Sequence, residues 1–341
     1  MFSLKNIVRK NILNLVAYSS ARDEYTGDAS VFLDANENPF GNLNRYPDPQ
    51  QKTLKKALSA LKNIPTDNIF IGNGSDEIID LAFRIFCTPG KDKALTFSPT
   101  YGMYDVSANI NNIELVKLPL TDDFQINIDE IKSHLKDEYL KLIFICSPNN
   151  PTGNTINTVD IEYILNNFNG IVILDEAYID FSPEASWNNK LAEYPNLIVS
   201  QTFSKAWGLA AARIGIAYTN INIINLFNKV KPPYNVSELN QKSAINALNN
   251  TTEFEKNKRV ILIEKEKLSK TLTTLAQVKK VYPSDANFLL IEVNNANGTY
   301  NNLVDQKIII RNRNSIIKNC VRITVGSPEE NTKLINALKI S

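Results

Sequence analysis

The sequence predicts an α/β protein with a mostly parallel sheet, a smaller α+β unit towards the C-terminus and an N-terminal arm. Between about residues 68 and 220, short apolar runs that end at turn residues alternate with helical patterns, which is typical of a parallel sheet covered by helices. A long charged helix then precedes a second, shorter set of strands. At 341 residues, the chain is also long enough for about two domains.

The elements of the large sheet are predicted from periodicity and flanking residues. Its strands are expected at Ala94–Phe97, Leu142–Cys146, Ile171–Leu174, Leu197–Ser200 and Ile214–Tyr218. Its helices are expected at Pro49–Leu61, Ser75–Phe86, Asp160–Asn166 and Asn235–Asn249. All of these strands except the last are followed at once by polar, glycine or proline residues. A ligand site is therefore expected at their carboxyl ends, where open α/β sheets bind their ligands.

The C-terminal unit begins with a long charged helix at about Glu253–Ala276 and ends with a helix at Pro328–Leu338. Its strands are expected near Phe288–Val293, Lys307–Ile310 and Val321–Val325. The change of pattern predicts an N-terminal arm at residues 1–30, a large domain at 31–240 and a small domain at 241–341.

Composition favours a small-molecule ligand. The 37 basic and 36 acidic residues leave a formal charge of +1, so neither nucleic acid nor an anionic membrane is expected as a partner. With one histidine, His134, neither a metal site nor a Ser/His/Asp triad is expected. Three widely separated cysteines favour a reducing cytoplasm. The basic N-terminus has some features of a presequence, but an ordered arm is favoured.

Lys205 is the first candidate for chemistry. It lies in the run SQTFSKAWGL at residues 200–209, directly after an apolar strand, and Arg213 follows eight residues later. Small and apolar neighbours lower the pKa of an amine and make it nucleophilic towards an aldehyde. A lone lysine is usually solvated, so the surrounding sequence supports the catalytic interpretation more than the residue itself.

Two further strand ends carry polar side chains that fit a bound heterocycle. Asp175 and, three positions on, Tyr178 could hold a pyridinium nitrogen and the neighbouring ring hydroxyl. The run CSPNNPTG at residues 146–153 has prolines that fix the backbone and could aim the Asn150 amide at a ring oxygen. Taken singly, Asp175 could instead cap a turn, Tyr178 could pack, and the Asn150 segment could be an ordinary turn.

A possible phosphate site lies in the run GNGSDE at residues 72–77, which opens a predicted helix. Free N–H groups at Ser75 and Asp76 suit a phosphate, although a helix cap without a ligand has the same sequence. A dinucleotide-binding loop would need a third glycine at the right spacing. Tyr101, after another strand, could stack on a flat ring or pack in the core.

Together, these residues resemble the fold-type I pyridoxal 5′-phosphate (PLP) aminotransferases. The order and approximate spacing of that family are met by Asn150, Asp175, Tyr178, Ser204, Lys205 and Arg213. The resemblance implies a mostly parallel seven-stranded sheet, PLP as the cofactor and Lys205 as the residue that forms a Schiff base with it. Its catalytic residues would be Lys205, Asp175 and Tyr178.

More narrowly, the chain is similar to histidinol-phosphate aminotransferases over nearly its whole length. The likeness is carried by AYSSAR at residues 17–22, LDANENP at 33–39, NRYPD at 44–48 and VRITVG at 321–326. In the first of these segments, Ala17 replaces a proline that is usual in the family. The resemblance implies amino-group transfer between L-histidinol phosphate and 2-oxoglutarate in histidine biosynthesis.

The same resemblance implies how the ligands are held. The cofactor would be bound by Ser75, Asp76, Tyr101, Asn150, Asp175, Tyr178, Ser204, Lys205 and Arg213, and by Tyr46 from the neighbouring subunit of a homodimer. The substrate would be bound by Tyr18, Asn36, Arg311 and Arg322. Arg313 lies two residues beyond Arg311 and would point the same way from a strand.

Three alternatives remain open. An aromatic amino acid aminotransferase shares every cofactor residue and differs only in the substrate pocket. A threonine-phosphate decarboxylase also resembles this family and needs a phosphate pocket, but it releases carbon dioxide. A PLP-binding transcription regulator would need an added DNA-binding segment, for which residues 1–30 are too short.

Overall fold

A computed structural model describes residues 2–25, 27 and 29–339. Its large sheet consists of β1 (Ile69–Asn73), β2 (Lys93–Ser98), β3 (Glu114–Pro119), β4 (Leu140–Cys146), β5 (Ile171–Asp175), β6 (Leu197–Thr202) and β7 (Ile214–Tyr218). The order across the sheet is β1-β7-β6-β5-β4-β2-β3. Only β7 runs antiparallel to its neighbours, β1 and β6. The predicted mostly parallel, seven-stranded sheet is therefore confirmed.

The small sheet consists of β8 (Val278–Val281), β9 (Phe288–Val293), β10 (Arg311–Asn312) and β11 (Cys320–Thr324). Its order is β10-β11-β9-β8, and all its neighbouring strands are antiparallel. The strand predicted at Lys307–Ile310 is wrong. The Ile308 N–H donates to the Leu303 carbonyl at the end of the preceding helix, and pairing with β11 begins only at Arg311.

The described chain contains thirteen α-helices. They are α1 (Leu4–Ile7), α2 (Lys10–Leu13), α3 (Ala21–Glu24), α4 (Lys52–Lys62), α5 (Ser75–Phe86), α6 (Met103–Ile110), α7 (Ile128–Ile131), α8 (Thr158–Asn167), α9 (Ile221–Val230), α10 (Glu238–Leu248), α11 (Thr251–Leu272), α12 (Ala296–Asp305) and α13 (Pro328–Lys339). Short 3₁₀ helices lie at Thr66–Asn68, His134–Lys136, Ile179–Phe181, Trp187–Lys190 and Ala210–Ala212. None of the helices in this part of the chain is long and apolar enough to cross a membrane.

Apolar clusters cover both faces of the large sheet. Along β5, Val172 and Leu174 join one cluster, whereas Ile171 and Ile173 join the other. This alternation follows from the two-residue repeat of a strand, and it explains why β5 is apolar throughout until Asp175. The N-terminal arm packs on the second cluster through buried apolar side chains, including Ile7.

A separate apolar cluster joins the small sheet to α11, α12 and α13. The boundary predicted after residue 240 falls within α10, so the domain limits stay a prediction. Side chains from the ends of the parallel strands and from the small sheet line one cavity.

Candidate active site

A cavity of about 510 Å³ lies between the ends of the parallel strands and the small sheet. Its volume is within the range of ~300–1,000 Å³ that is usual for small-molecule sites. Most of the site residues predicted from the sequence line this cavity: Ser75, Asp76, Tyr101, Asn150, Asp175, Tyr178, Ser204, Lys205, Arg213, Arg311 and Arg322. The candidates chosen at separate strand ends thus converge on one site.

Lys205 reaches this cavity from the loop that follows β6. Its side chain keeps access to solvent, and its Nζ lies 5.5 Å from the ring centroid of Tyr178. Desolvation lowers the pKa of Lys205, and the positive charge of Arg322 adds to this effect, whereas Asp175 opposes it. A larger fraction of neutral, nucleophilic amine therefore exists near neutral pH than for a free lysine.

Asp175 is the last residue of β5 and is only 3% exposed. Burial raises the pKa of its carboxyl group from the usual 3.8 to about 6, against the effect of two hydrogen bonds. Tyr104 Oη donates to Oδ2 at 2.8 Å, and the Ala177 N–H donates to Oδ1 at 3.2 Å. No ion pair joins Asp175 to a cationic side chain within the described ranges, so a cationic ligand group would complete its environment.

Tyr104 was not predicted from the sequence as a partner of Asp175. Its side chain is fully buried in α6, stacked on Phe144 with ring centroids 4.9 Å apart. It also lies edge-on to Tyr101, at 5.6 Å. The only local signal was its position one helical turn after Tyr101, which also fits a core residue.

The first turn of α5 and the segment before β7 form one end of the cavity. A Cβ at Gly215 would lie 2.3 Å from backbone atoms of Gly74 and Ser75, so glycine is required for this close approach. Asp76 accepts hydrogen bonds from Tyr101 at 3.0 Å and from Arg213 at 3.2 Å. The Arg213 guanidinium and the start of a twelve-residue helix thus lie together, as a phosphate requires.

Arginines of the small sheet also line the cavity. Arg311 and Arg322 face each other across β10 and β11. Arg322 Nη1 donates to Asn150 Oδ1 at 2.5 Å, which leaves the Asn150 NH₂ group to donate elsewhere. Arg313 lines the same cavity, so the structure brings both alternatives, Arg311 and Arg313, to the site.

Three predicted ligand-binding residues do not line this cavity. The Tyr18 side chain is 71% exposed. Asn36 has φ 54° and, with Tyr46, lines a different depression. Tyr46 is 50% exposed and stacks on Tyr234, with ring centroids 4.3 Å apart. Their ligand contacts therefore stay predictions.

The cavity residues fit PLP. Arg213, Ser204 and the first turn of α5 offer donors to a phosphate group. Asp175 offers a buried carboxylate for a protonated ring nitrogen, and Lys205 offers an amine for an aldehyde. Asn150 and Tyr178 offer donors to a ring oxygen.

Comparison with known proteins agrees with this donor set. The family model for aminotransferase class I and II matches residues 11–338. A histidinol-phosphate aminotransferase of Flavobacterium psychrophilum is 50% identical over 343 residues, which cover 99% of each chain. The chain belongs to the aminotransferase class I and II family, whose members depend on PLP. The predictions of a PLP-dependent aminotransferase and of its fold class are thus confirmed.

Solved structures show the same fold. The histidinol-phosphate aminotransferase from Clostridium acetobutylicum has a TM-score of 0.80 and 27% identity, covering 87% of this chain and 90% of that chain. The enzyme of that name from Sinorhizobium meliloti, in complex with PLP, has a TM-score of 0.81 and 24% identity, covering 90% and 89%. The chain is thus similar throughout its length to histidinol-phosphate aminotransferases, while the roles of its individual residues stay predictions.

Proposed function

We propose that this chain transfers the amino group of L-histidinol phosphate to 2-oxoglutarate, giving imidazole acetol phosphate and glutamate. The observation that carries the proposal is the 50% identity to a histidinol-phosphate aminotransferase over 99% of both chains. The cavity supports it, because arginines of the small sheet that suit anionic substrates line it together with the residues expected to bind the cofactor phosphate. The place in histidine biosynthesis follows from this reaction.

Lys205 is proposed to hold the cofactor covalently and to move the proton. When bound, PLP supplies an aldehyde that binds amines and a ring that accepts the electrons released at the substrate Cα. The lowered pKa of Lys205 favours the neutral amine, which can accept a proton from Cα and return it to the cofactor. Arg322 lowers this pKa further, so the substrate-binding side helps to activate the lysine.

Asp175, Tyr178 and Asn150 are proposed to orient the cofactor ring. The Asp175 carboxylate would keep the ring nitrogen protonated, and the hydrogen bond from Tyr104 keeps that carboxylate in one orientation. Asn150 is fixed by Arg322 and would donate its amide to the ring oxygen. Tyr101 would stack on the ring.

Transfer assays test this function. With 2-oxoglutarate as acceptor, we expect histidinol phosphate to give the highest kcat/KM among histidinol phosphate, phenylalanine and tyrosine. A preference for the aromatic amino acids would overturn the assignment in favour of an aromatic aminotransferase. Release of carbon dioxide from threonine phosphate would overturn it in favour of a decarboxylase.

A homodimer with shared active sites is part of the proposal. Large apolar side chains are exposed along residues 13–46, among them Val16 at 88%, Leu33 at 90% and Phe40 at 81%. Exposed apolar side chains concentrated in one segment are typical of an interface. The same segment carries Tyr46, whose backbone N–H donates to the Glu37 carboxylate at 2.6 Å. A second copy of the chain would cover the segment and receive Tyr46.

Mixed dimers test this sharing. Lys205→Ala and Tyr46→Ala homodimers should both be impaired at limiting PLP. A dimer with one subunit of each kind should regain about half the wild-type activity, because one of its two sites then has both native side chains. If Tyr46 acts in its own subunit, mixing will restore nothing above the Tyr46→Ala level.

A cytoplasmic location is also proposed. The cysteines Cys87, Cys146 and Cys320 are free and buried, which fits a reducing compartment.

A further inference from the structure

Three arginines project from one face of the small sheet into the active-site cavity. Arg311 pairs directly with Arg322 across the two strands. The Arg313 N–H donates to the Cys320 carbonyl at 3.0 Å, which continues the pairing one residue beyond β10. Because side chains alternate along a strand, Arg311 and Arg313 point to the same face. All three line the cavity that contains Lys205.

These three guanidinium groups have no carboxylate partner among the ion pairs of the described residues. Burial, together with the charges of Arg322 and Arg311, lowers the pKa of Arg313 to about 10. Like charges directly opposite on neighbouring strands are destabilising. The free protein therefore concentrates positive charge here without neutralising it, and a multiply charged anion would relieve the repulsion.

Unused hydrogen-bond donors accompany this charge. The Nε atoms of Arg313 and Arg322 are both buried without a hydrogen-bond partner. A buried donor without a partner destabilises the free protein, so a ligand that supplies acceptors gains affinity from each. Arg322 already uses Nη1 on Asn150. Arg311 and Arg313 thus offer the larger number of uncommitted donors.

We propose that Arg313 is a specificity-determining residue that, with Arg311, binds the phosphate of a phosphorylated amino donor. The inference rests on the proposed function and adds a third arginine to the two expected from sequence. A phosphate monoester carries close to two negative charges at neutral pH and has three acceptor oxygens. It matches two guanidinium groups better than a single carboxylate does. Arg322, held by Asn150, is left for the carboxylate of glutamate.

The test compares phosphorylated and unphosphorylated donors with the PLP-loaded enzyme. For Arg313→Gln, kcat/KM for histidinol phosphate should fall about 10- to 100-fold, mainly through KM, whereas that for histidinol should change less than about threefold. Arg313→Lys should be intermediate, because an ammonium group cannot bind phosphate bidentately. Inorganic phosphate should also inhibit the Arg313→Gln variant more weakly than the wild type.

Arg259→Gln is the matched control, because Arg259 is exposed on α11 and does not line the cavity. This substitution removes the same charge and should leave unchanged the ratio of kcat/KM for histidinol phosphate to kcat/KM for histidinol. Equal losses of kcat/KM for both donors in Arg313→Gln, which leave their ratio unchanged, would overturn the inference. If the wild type itself does not use histidinol phosphate, the proposed function fails. If the wild type uses histidinol phosphate and Arg313→Gln leaves the kcat/KM ratio of the two donors unchanged, only this inference fails.

Discussion

Replacing Lys205 with alanine should lower amino-transfer activity by at least ~10²–10⁴-fold, the usual contribution of a general acid–base group. The loss should be larger still, because the same side chain is proposed to hold the cofactor covalently. Borohydride reduction followed by mass measurement provides a second readout. The wild type should gain the mass of reduced PLP, and the Lys205→Ala variant should not.

Lys242→Ala is a suitable control for this experiment. Lys242 is a well-exposed side chain on α10 that forms an ion pair with Glu238 and does not line the cavity. Its loss should change neither activity nor covalent labelling. A Lys205→Ala enzyme that retains both properties would show that another amine holds the cofactor.

Replacing Asp175 with asparagine should have opposite effects on activity and on stability. Activity should fall ~10²–10³-fold, as when a fixed electrostatic group is removed from an active site. The apoprotein, however, should become more stable at pH 8. Because the pKa of Asp175 is raised from 3.8 to about 6, folding above pH 6 requires burial of a carboxylate that water solvates better.

The size and pH dependence of this gain follow from the two pKa values. The difference between 3.8 and about 6 corresponds to ~3 kcal/mol. Because an amide has one acceptor oxygen, one of the two hydrogen bonds from Tyr104 and Ala177 is lost, which offsets about 1 kcal/mol of it. Urea unfolding should therefore show a gain of ~2 kcal/mol at pH 8. The gain should shrink as the pH falls from about 6 to 4, because the folded state then binds a proton at Asp175 while the unfolded state still largely does not. A less stable apoprotein at pH 8 would contradict the burial of an uncompensated charge.

The Glu176→Gln variant tests whether activity depends on the position of Asp175 in the cavity or only on the presence of a buried acid. Glu176 is also buried, and burial raises its pKa to about 7, but its carboxylate accepts hydrogen bonds from Ser186, Gln201 and the Trp187 N–H. It does not line the cavity. The Glu176→Gln variant should keep activity within about twofold of the wild type. A large loss of activity would mean that any buried acid after β5 is needed, whatever its orientation.

The central strands of the fold were predictable because burial on both faces leaves a continuous apolar run, as in β5. Three strands were not predicted from the sequence: β1, a short apolar run directly before a glycine-rich turn, and β3 and β8. The residues of β3 are only partly buried or exposed, and β8 has two exposed lysines in four residues. Both are edge strands, where exposed and charged side chains weaken the apolar pattern.

The residues of the site were predictable to the extent that each follows a strand or opens a helix. Lys205 and Asn150 follow buried strands and Asp175 ends one, and their order in the sequence carried the family resemblance. The bond between Tyr104 and Asp175 joins residues 71 positions apart, and that between Arg322 and Asn150 spans 172. Such pairs follow from the folding of the chain and have no local pattern.

A single-turnover form of the donor comparison tests the proposed function most directly. PLP-loaded enzyme is mixed with histidinol phosphate in the absence of 2-oxoglutarate, and the released product is identified by mass spectrometry. We expect one equivalent of imidazole acetol phosphate per active site, and glutamate only after 2-oxoglutarate is added. No keto product from histidinol phosphate, together with full turnover of phenylalanine or tyrosine under the same conditions, would contradict the proposed function.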